Sequence, residues 1–182
     1  MPTLATRDLT YAALFTALIA GGALVAIPIG SVPVTLQVLF ALLAGMLLGP
    51  RLAALSVLAY LALGLFAPVY AGGTSGLGVL LGPTGGYLWG FVLAALVTGA
   101  LSARGEASLA RFVGAGLLGL VPIYALGAVW LTAQLHIGMG TALATGVAPF
   151  VWLDVLKAVT AGLAARSLVN LPLGLPSPQR GR

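Results

Sequence analysis

The sequence predicts an all-α integral membrane protein, a compact bundle of six transmembrane helices with both termini in the cytoplasm. Three observations lead there. First, 60% of its 182 residues are hydrophobic and 6% are charged, with a mean hydropathy of +1.14, against roughly 25% charged residues in soluble domains. Second, the long Leu/Ala runs lack strict alternation. Inside a bilayer only helices or a closed barrel satisfy the backbone internally, so these runs read as helices. Third, arginine is confined to the termini and to alternate connections. A span needs about 20 apolar residues, so the length accommodates six spans and little soluble mass.

The elements follow in order. The first apolar segment runs from Leu9 to Ile27 and carries small residues at four-residue spacing, Ala13, Ala17 and Gly21, which would let another helix approach closely. It has no convincing cleavage site and reads as a retained span. Pro28 to Pro33 break the chain before a second segment, Val34 to Leu48. Gly49-Pro50-Arg51 then separates it from a third, Leu52 to Phe66. Both are short, about 22 Å at 1.5 Å per residue. The fourth, Gly85 to Ala103, follows a glycine-rich connection from Ala67 to Thr84. The fifth, Phe112 to Ala133, contains Pro122, which is expected to kink a membrane helix rather than end it. After Gln134 to Gly146 comes the sixth, Val147 to Ala165. Residues 1–170 read as the membrane domain and 171–182 as a flexible, basic cytoplasmic tail.

Arg7, Arg51, Arg104, Arg111, Arg166, Arg180 and Arg182 fall at the termini or at the second and fourth connections. The first, third and fifth connections contain no Lys or Arg. That split places both termini inside. It also explains the net charge of +5, so no nucleic-acid partner is implied. With no cysteine, disulfides and thiolate metal sites are excluded.

Asp154 and Lys157 stand out: opposite charges three residues apart, on one helix face, inside an apolar segment. A charge at bilayer depth costs roughly 2.5 to 3.5 kcal/mol on insertion scales and normally faces a bundle interior or a cavity. The pair is expected two to three turns into the sixth helix, where it would meet a polar ligand arriving from outside. The competing reading is an ion pair that fixes helix packing and adds little net stability. Gly72-Gly73-Thr74-Ser75-Gly76-Leu77-Gly78, leading to Gly82-Pro83-Thr84-Gly85-Gly86-Tyr87, forms the other unusual segment. Glycine backbone can approach a ligand closely, and the helix start that follows would suit an anionic group; otherwise it is a mobile loop. Trp89, Trp130 and Trp152 read as interfacial or core residues. His136, the lone histidine, reads as a solvated loop residue. Without a nucleophile, base and orienter in one place, an intramembrane enzyme is the weaker reading.

Three motifs in order resemble a known family: Pro33-Val34-Thr35-Leu36-Gln37, Leu80-Leu81-Gly82-Pro83-Thr84-Gly85-Gly86-Tyr87, and Pro149-Phe150 followed by Asp154-x-x-Lys157. They look like BioY, the biotin-specific S component of energy-coupling factor transporters, over nearly the whole chain. One departure is Trp152-Leu153 where members commonly carry Pro-Gly before the aspartate. The resemblance implies a six-helix bundle in a prokaryotic plasma membrane that binds biotin from outside with high affinity. It further implies docking on a transmembrane T component driven by two cytoplasmic ATPases, with Ala13 and Ala17 as the matching contact positions. The ligand-binding set it suggests is Asp154, Lys157, Thr35, Gln37, Gly73, Gly82, Thr84, Gly85, Gly86 and Tyr87. No enzyme activity, cofactor or metal is expected, and the chain has no G-x-x-x-x-G-K-[ST] phosphate loop. An S component for a different vitamin would share this architecture.

Overall fold

The computed structural model describes residues 5–29, 32–104 and 106–176. Its helices are α1 (Thr6–Leu24), α2 (Gln37–Leu48), α3 (Pro50–Leu63), α4 (Leu77–Leu81), α5 (Gly85–Ser102), α6 (Leu109–Leu135), α7 (Met139–Gly146) and α8 (Val151–Leu168). A short antiparallel hairpin, β1 (Ala26–Ile29) and β2 (Val32–Thr35), joins α1 to α2. Every one of the six apolar segments thus contains a helix. Two of them, α5 and α6, are long and apolar enough to cross a membrane, and the bent pair α7/α8 would make a third. The shortness expected of the second and third segments is borne out by the 12 residues of α2 and 14 of α3.

Burial explains the arrangement. Helix α2 is apolar around its whole circumference, with ten of its twelve residues buried, as expected of a helix surrounded by others. It packs against α1, α3, α5 and α8, while α6 packs chiefly against α5 and α8. The outward faces of the surrounding helices carry exposed Leu and Val, such as Leu58, Leu93, Leu118, Val121 and Leu163. Between α2 and α3 the chain reverses at a single residue, Gly49, whose φ of 78° suits glycine. Pro50 then opens α3 at a position that needs no N–H donor. Helix α6 is started by Ser108, whose hydroxyl accepts from the Arg111 N–H at 3.3 Å. Pro122 lies inside this continuous 27-residue helix.

Several boundaries differ from the sequence reading: α1 ends at Leu24, with Ala26 and Ile27 in β1 rather than in the first span, and the third connection contains α4. Val34 and Thr35 belong to β2, and the helix begins at Gln37: Val32, Val34 and Thr35 favour extended backbone, and the two prolines pair opposite each other in a ribbon where neither needs to donate. The fifth connection contains α7, eight residues rich in Gly, Ala and Thr. Helix α8 starts at Val151 rather than Val147, because the chain bends by 53° between α7 and α8 around Pro149. Asp154 therefore sits in the first turn of α8, not two to three turns in. Within the tail, Leu175 is buried and the Leu173 carbonyl accepts from the Tyr11 hydroxyl; residues 177–182 lie outside the described residues.

Candidate functional site

The first residues of α2, α5 and α8 converge with β2 and the Tyr70–Ala71 stretch on one cavity. The cavity volume is about 60 Å³, below the roughly 300 to 1,000 Å³ of typical small-molecule sites, so the lining side chains must part to admit a larger ligand. Val32, Val38, Leu88, Phe91, Ile123 and Phe150 supply an apolar lining. Polar groups are few: Thr35, Gln37, Thr84, Tyr87, Tyr124, Asp154 and Lys157.

The charged pair is the electrostatic centre of this site. Lys157 Nζ donates to Asp154 Oδ1 at 2.6 Å, and the Tyr124 hydroxyl donates to Asp154 Oδ2 at 2.5 Å. The lysine and aspartate side chains are 12% and 7% exposed. A carboxylate so buried is tolerated because each oxygen holds a donor and because it lies at a helix N-terminus, where the dipole favours negative charge. Each oxygen keeps acceptor capacity for a ligand N–H, and Lys157 keeps donors for a ligand oxygen.

Around the α2 end, Thr35 Oγ1 and the Gln37 side-chain amide lie 2.8 Å apart, and the other end of that amide meets the Tyr60 hydroxyl at 2.5 Å. Tyr60 stacks edge-on against Tyr70 with ring centroids 5.6 Å apart. The Tyr70 hydroxyl donates to the Leu61 carbonyl at 2.6 Å, and burial raises its pKa. Tyr87 crosses to the α7 end, donating to the Gly146 carbonyl at 2.9 Å.

Six residues singled out from sequence therefore meet in the cavity: Thr35, Gln37, Thr84, Tyr87, Asp154 and Lys157. The four glycines are not among its lining. Gly73 is exposed, with φ of 76° in a turn. Gly82 offers its carbonyl to the Trp130 indole N–H at 2.9 Å. A Cβ on Gly85 would stand 2.0 Å from the Leu80 carbonyl oxygen, and one on Gly86 would stand 2.3 Å from Trp130 Cβ. These two glycines let α5 approach α6 and the preceding turn. The Gly85 and Tyr87 N–H groups are taken by the Gly82 and Thr84 carbonyls, so they are not open to an anion. Trp89 and Trp152 lie partly on the outer surface, and His136 is exposed. Ala13, Ala17 and Gly21 form an exposed stripe on α1, while Ala12 and Thr16 face inward, Thr16 donating to the Ser56 carbonyl at 3.0 Å.

Tyr124, Tyr60, Tyr70 and Phe150 are the site residues that sequence reasoning left unassigned. A signal existed for Tyr60 and Tyr124: a phenol inside an apolar helix needs a hydrogen-bond partner, and buried Asp154 needs a donor.

A bundle of apolar helices that closes over a mostly apolar cavity, with a few convergent polar groups and a buried ion pair, is a membrane solute-binding architecture. The chain belongs to the BioY family, whose sequence model matches residues 1–172. It is 45% identical to the biotin transporter BioY of Thermotoga maritima, over 91% of this chain and 97% of that one. With the probable biotin transporter BioY of Pyrococcus horikoshii it shares 42% identity over 89% and 96% of the two chains. Among solved structures, the S-component for biotin from an ECF-type ABC transporter matches with a TM-score of 0.85 at 32% identity, covering 93% of this chain and 96% of that one. The three motifs thus pointed to the right family, one of transporter components and not of enzymes.

Proposed function

We propose that this protein is the high-affinity biotin-binding S component of an ECF-type vitamin uptake transporter in a prokaryotic plasma membrane. The observation that carries the proposal is the cavity bearing Asp154, Lys157 and Tyr124 in a chain of the BioY family. Biotin has an apolar bicyclic body, a ureido group with donors and an acceptor, and a carboxylate. Such a molecule suits an apolar cavity with a few placed polar groups.

The site lies where α2, α5 and α8 begin and where the arginine-free connections fall. Six spans with both termini in the cytoplasm would turn that end outward, giving biotin an entrance from outside. Residues 1–170 would form the membrane domain, followed by a basic tail. The exposed Ala13/Ala17 stripe on α1 suits close approach of a T-component helix, and two cytoplasmic ATPases would drive the complex. The residues proposed to touch biotin are Asp154, Lys157, Thr35, Gln37, Thr84 and Tyr87, with Tyr124 joining them.

Mass spectrometry of small molecules released from protein purified out of biotin-containing medium tests the assignment. Biotin is expected in the released fraction. Release of another vitamin in its place would keep the transporter architecture and remove the biotin assignment.

A further inference from the structure

The wall formed by β2 and the start of α2 poses a hydrogen-bond question. Thr35 and Gln37 line the cavity, whereas Tyr60 stands behind Gln37, 0% exposed and outside the lining. Thr35 Oγ1 lies 2.8 Å from one end of the Gln37 amide, and the Tyr60 hydroxyl lies 2.5 Å from the other. If the amide nitrogen faces Tyr60, it donates to the phenol oxygen. The phenol hydrogen is then left with no acceptor among the described residues, at a fully buried position where an unmet donor is costly.

Turning the amide over removes the conflict. The phenol then donates to the amide oxygen, and the amide nitrogen donates to Thr35 Oγ1. The 2.5 Å separation at Tyr60 also fits an O–H···O bond better than an N–H···O bond, which spans about 2.7 to 3.2 Å. Thr35 Oγ1 would accept from the amide nitrogen and, at 3.4 Å, from the Gln37 backbone N–H. Its hydroxyl hydrogen is thereby released toward the cavity, as is the second amide hydrogen of Gln37.

We propose that Tyr60 is a positioning residue: it fixes the Gln37 amide so that the α2 wall presents hydrogen-bond donors to an acceptor oxygen of the ligand, a carbonyl or a carboxylate. This deepens the biotin reading and rests on it for the identity of the ligand. The two polar sides of the cavity then differ in kind. The α8 side is charged and holds both acceptor and donor, while the α2 side is neutral and donates.

The test is a double-mutant cycle on purified full-length protein. Biotin affinity is measured for wild type, Tyr60→Phe, Thr35→Val and the double variant, with thermal midpoints recorded without ligand. Tyr60→Phe is expected to weaken biotin about three- to tenfold, the size of one neutral hydrogen bond. The loss in the double variant should be smaller than the product of the two single losses, because both substitutions act through the one Thr35–Gln37–Tyr60 chain. Unchanged affinity in Tyr60→Phe, or losses that multiply in the double variant, would overturn the proposal. A second measurement needs neither ligand nor variant: in wild type carrying 15N-glutamine, the Gln37 side-chain NH2 should show nuclear Overhauser contacts to the Thr35 methyl. Contacts to the Tyr60 ring alone would overturn the proposal even if Tyr60→Phe did not fold. A wild type that bound no biotin would refute the functional reading while leaving this orientation to be decided by the spectrum.

Discussion

Replacing Asp154 with Asn separates a ligand role from a packing role, because the neighbours tolerate the change in shape. The Asn oxygen can still accept from Lys157, and its NH2 can donate to Tyr124, whose hydroxyl is free to turn and accept. The number of hydrogen bonds inside the triad is thus conserved. What disappears is the charge, and with it a charged acceptor for the ligand. A hydrogen bond to a charged group contributes about 1.5 to 3 kcal/mol, so biotin affinity should fall roughly tenfold to over a hundredfold, at 1.4 kcal/mol per decade. Lys157, 12% exposed, loses its counter-charge and lowers stability as well, but the affinity loss should dominate. Calorimetric titration of wild type and variant, with thermal midpoints of the unliganded proteins, measures both quantities. Unchanged affinity with a lowered midpoint would refute the ligand role and leave Asp154 as half of a structural ion pair.

Tyr124→Phe should weaken biotin binding less than Asp154→Asn, by up to about tenfold, since it removes one donor and leaves the Lys157 contact; equal titration curves for variant and wild type would show that Tyr124 only fills space. Gly86→Ala forces a methyl against Trp130 Cβ at 2.3 Å and the Leu126 carbonyl oxygen at 2.6 Å, so stability should drop by about 1 to 3 kcal/mol. A thermal midpoint unchanged from wild type would contradict that packing role. Ala13→Trp and Ala17→Trp should abolish co-purification with the T component while sparing biotin affinity, because both alanines are exposed and distant in sequence from the cavity residues. Loss of folding without a specific assembly defect would instead mark them as bundle packing.

Much of this was legible in the chain because the strongest signals are local. Each apolar run bounded by glycine, proline or charge contains a helix among the described residues, and the two charges in an apolar run line the cavity. What escaped depends on contacts between distant residues or on short elements. Tyr124 and Asp154 are thirty residues apart, and only the packing of α6 against α8 brings them together. Tyr60 reaches Gln37 across the α2–α3 interface. Pro28 to Pro33 read as a break, since prolines punctuate helices, yet the Val and Thr residues alongside form a ribbon that walls the cavity. Helix α7 is eight residues long, too short for its period to stand out against a loop rich in glycine. Gly85 and Gly86 were read from sequence as backbone that approaches a ligand; what stands against them in the fold is the Leu80 carbonyl and Trp130, outside the cavity lining.

The central claim is that the cavity holding Asp154, Lys157 and Tyr124 is a biotin site. Isothermal titration of the purified protein in detergent with biotin, and then with a panel of other vitamins, tests it most directly. The account predicts saturable, tight biotin binding at one molecule per chain that the other vitamins do not compete away; absence of biotin heat and competition, with tight binding of another vitamin, would contradict it.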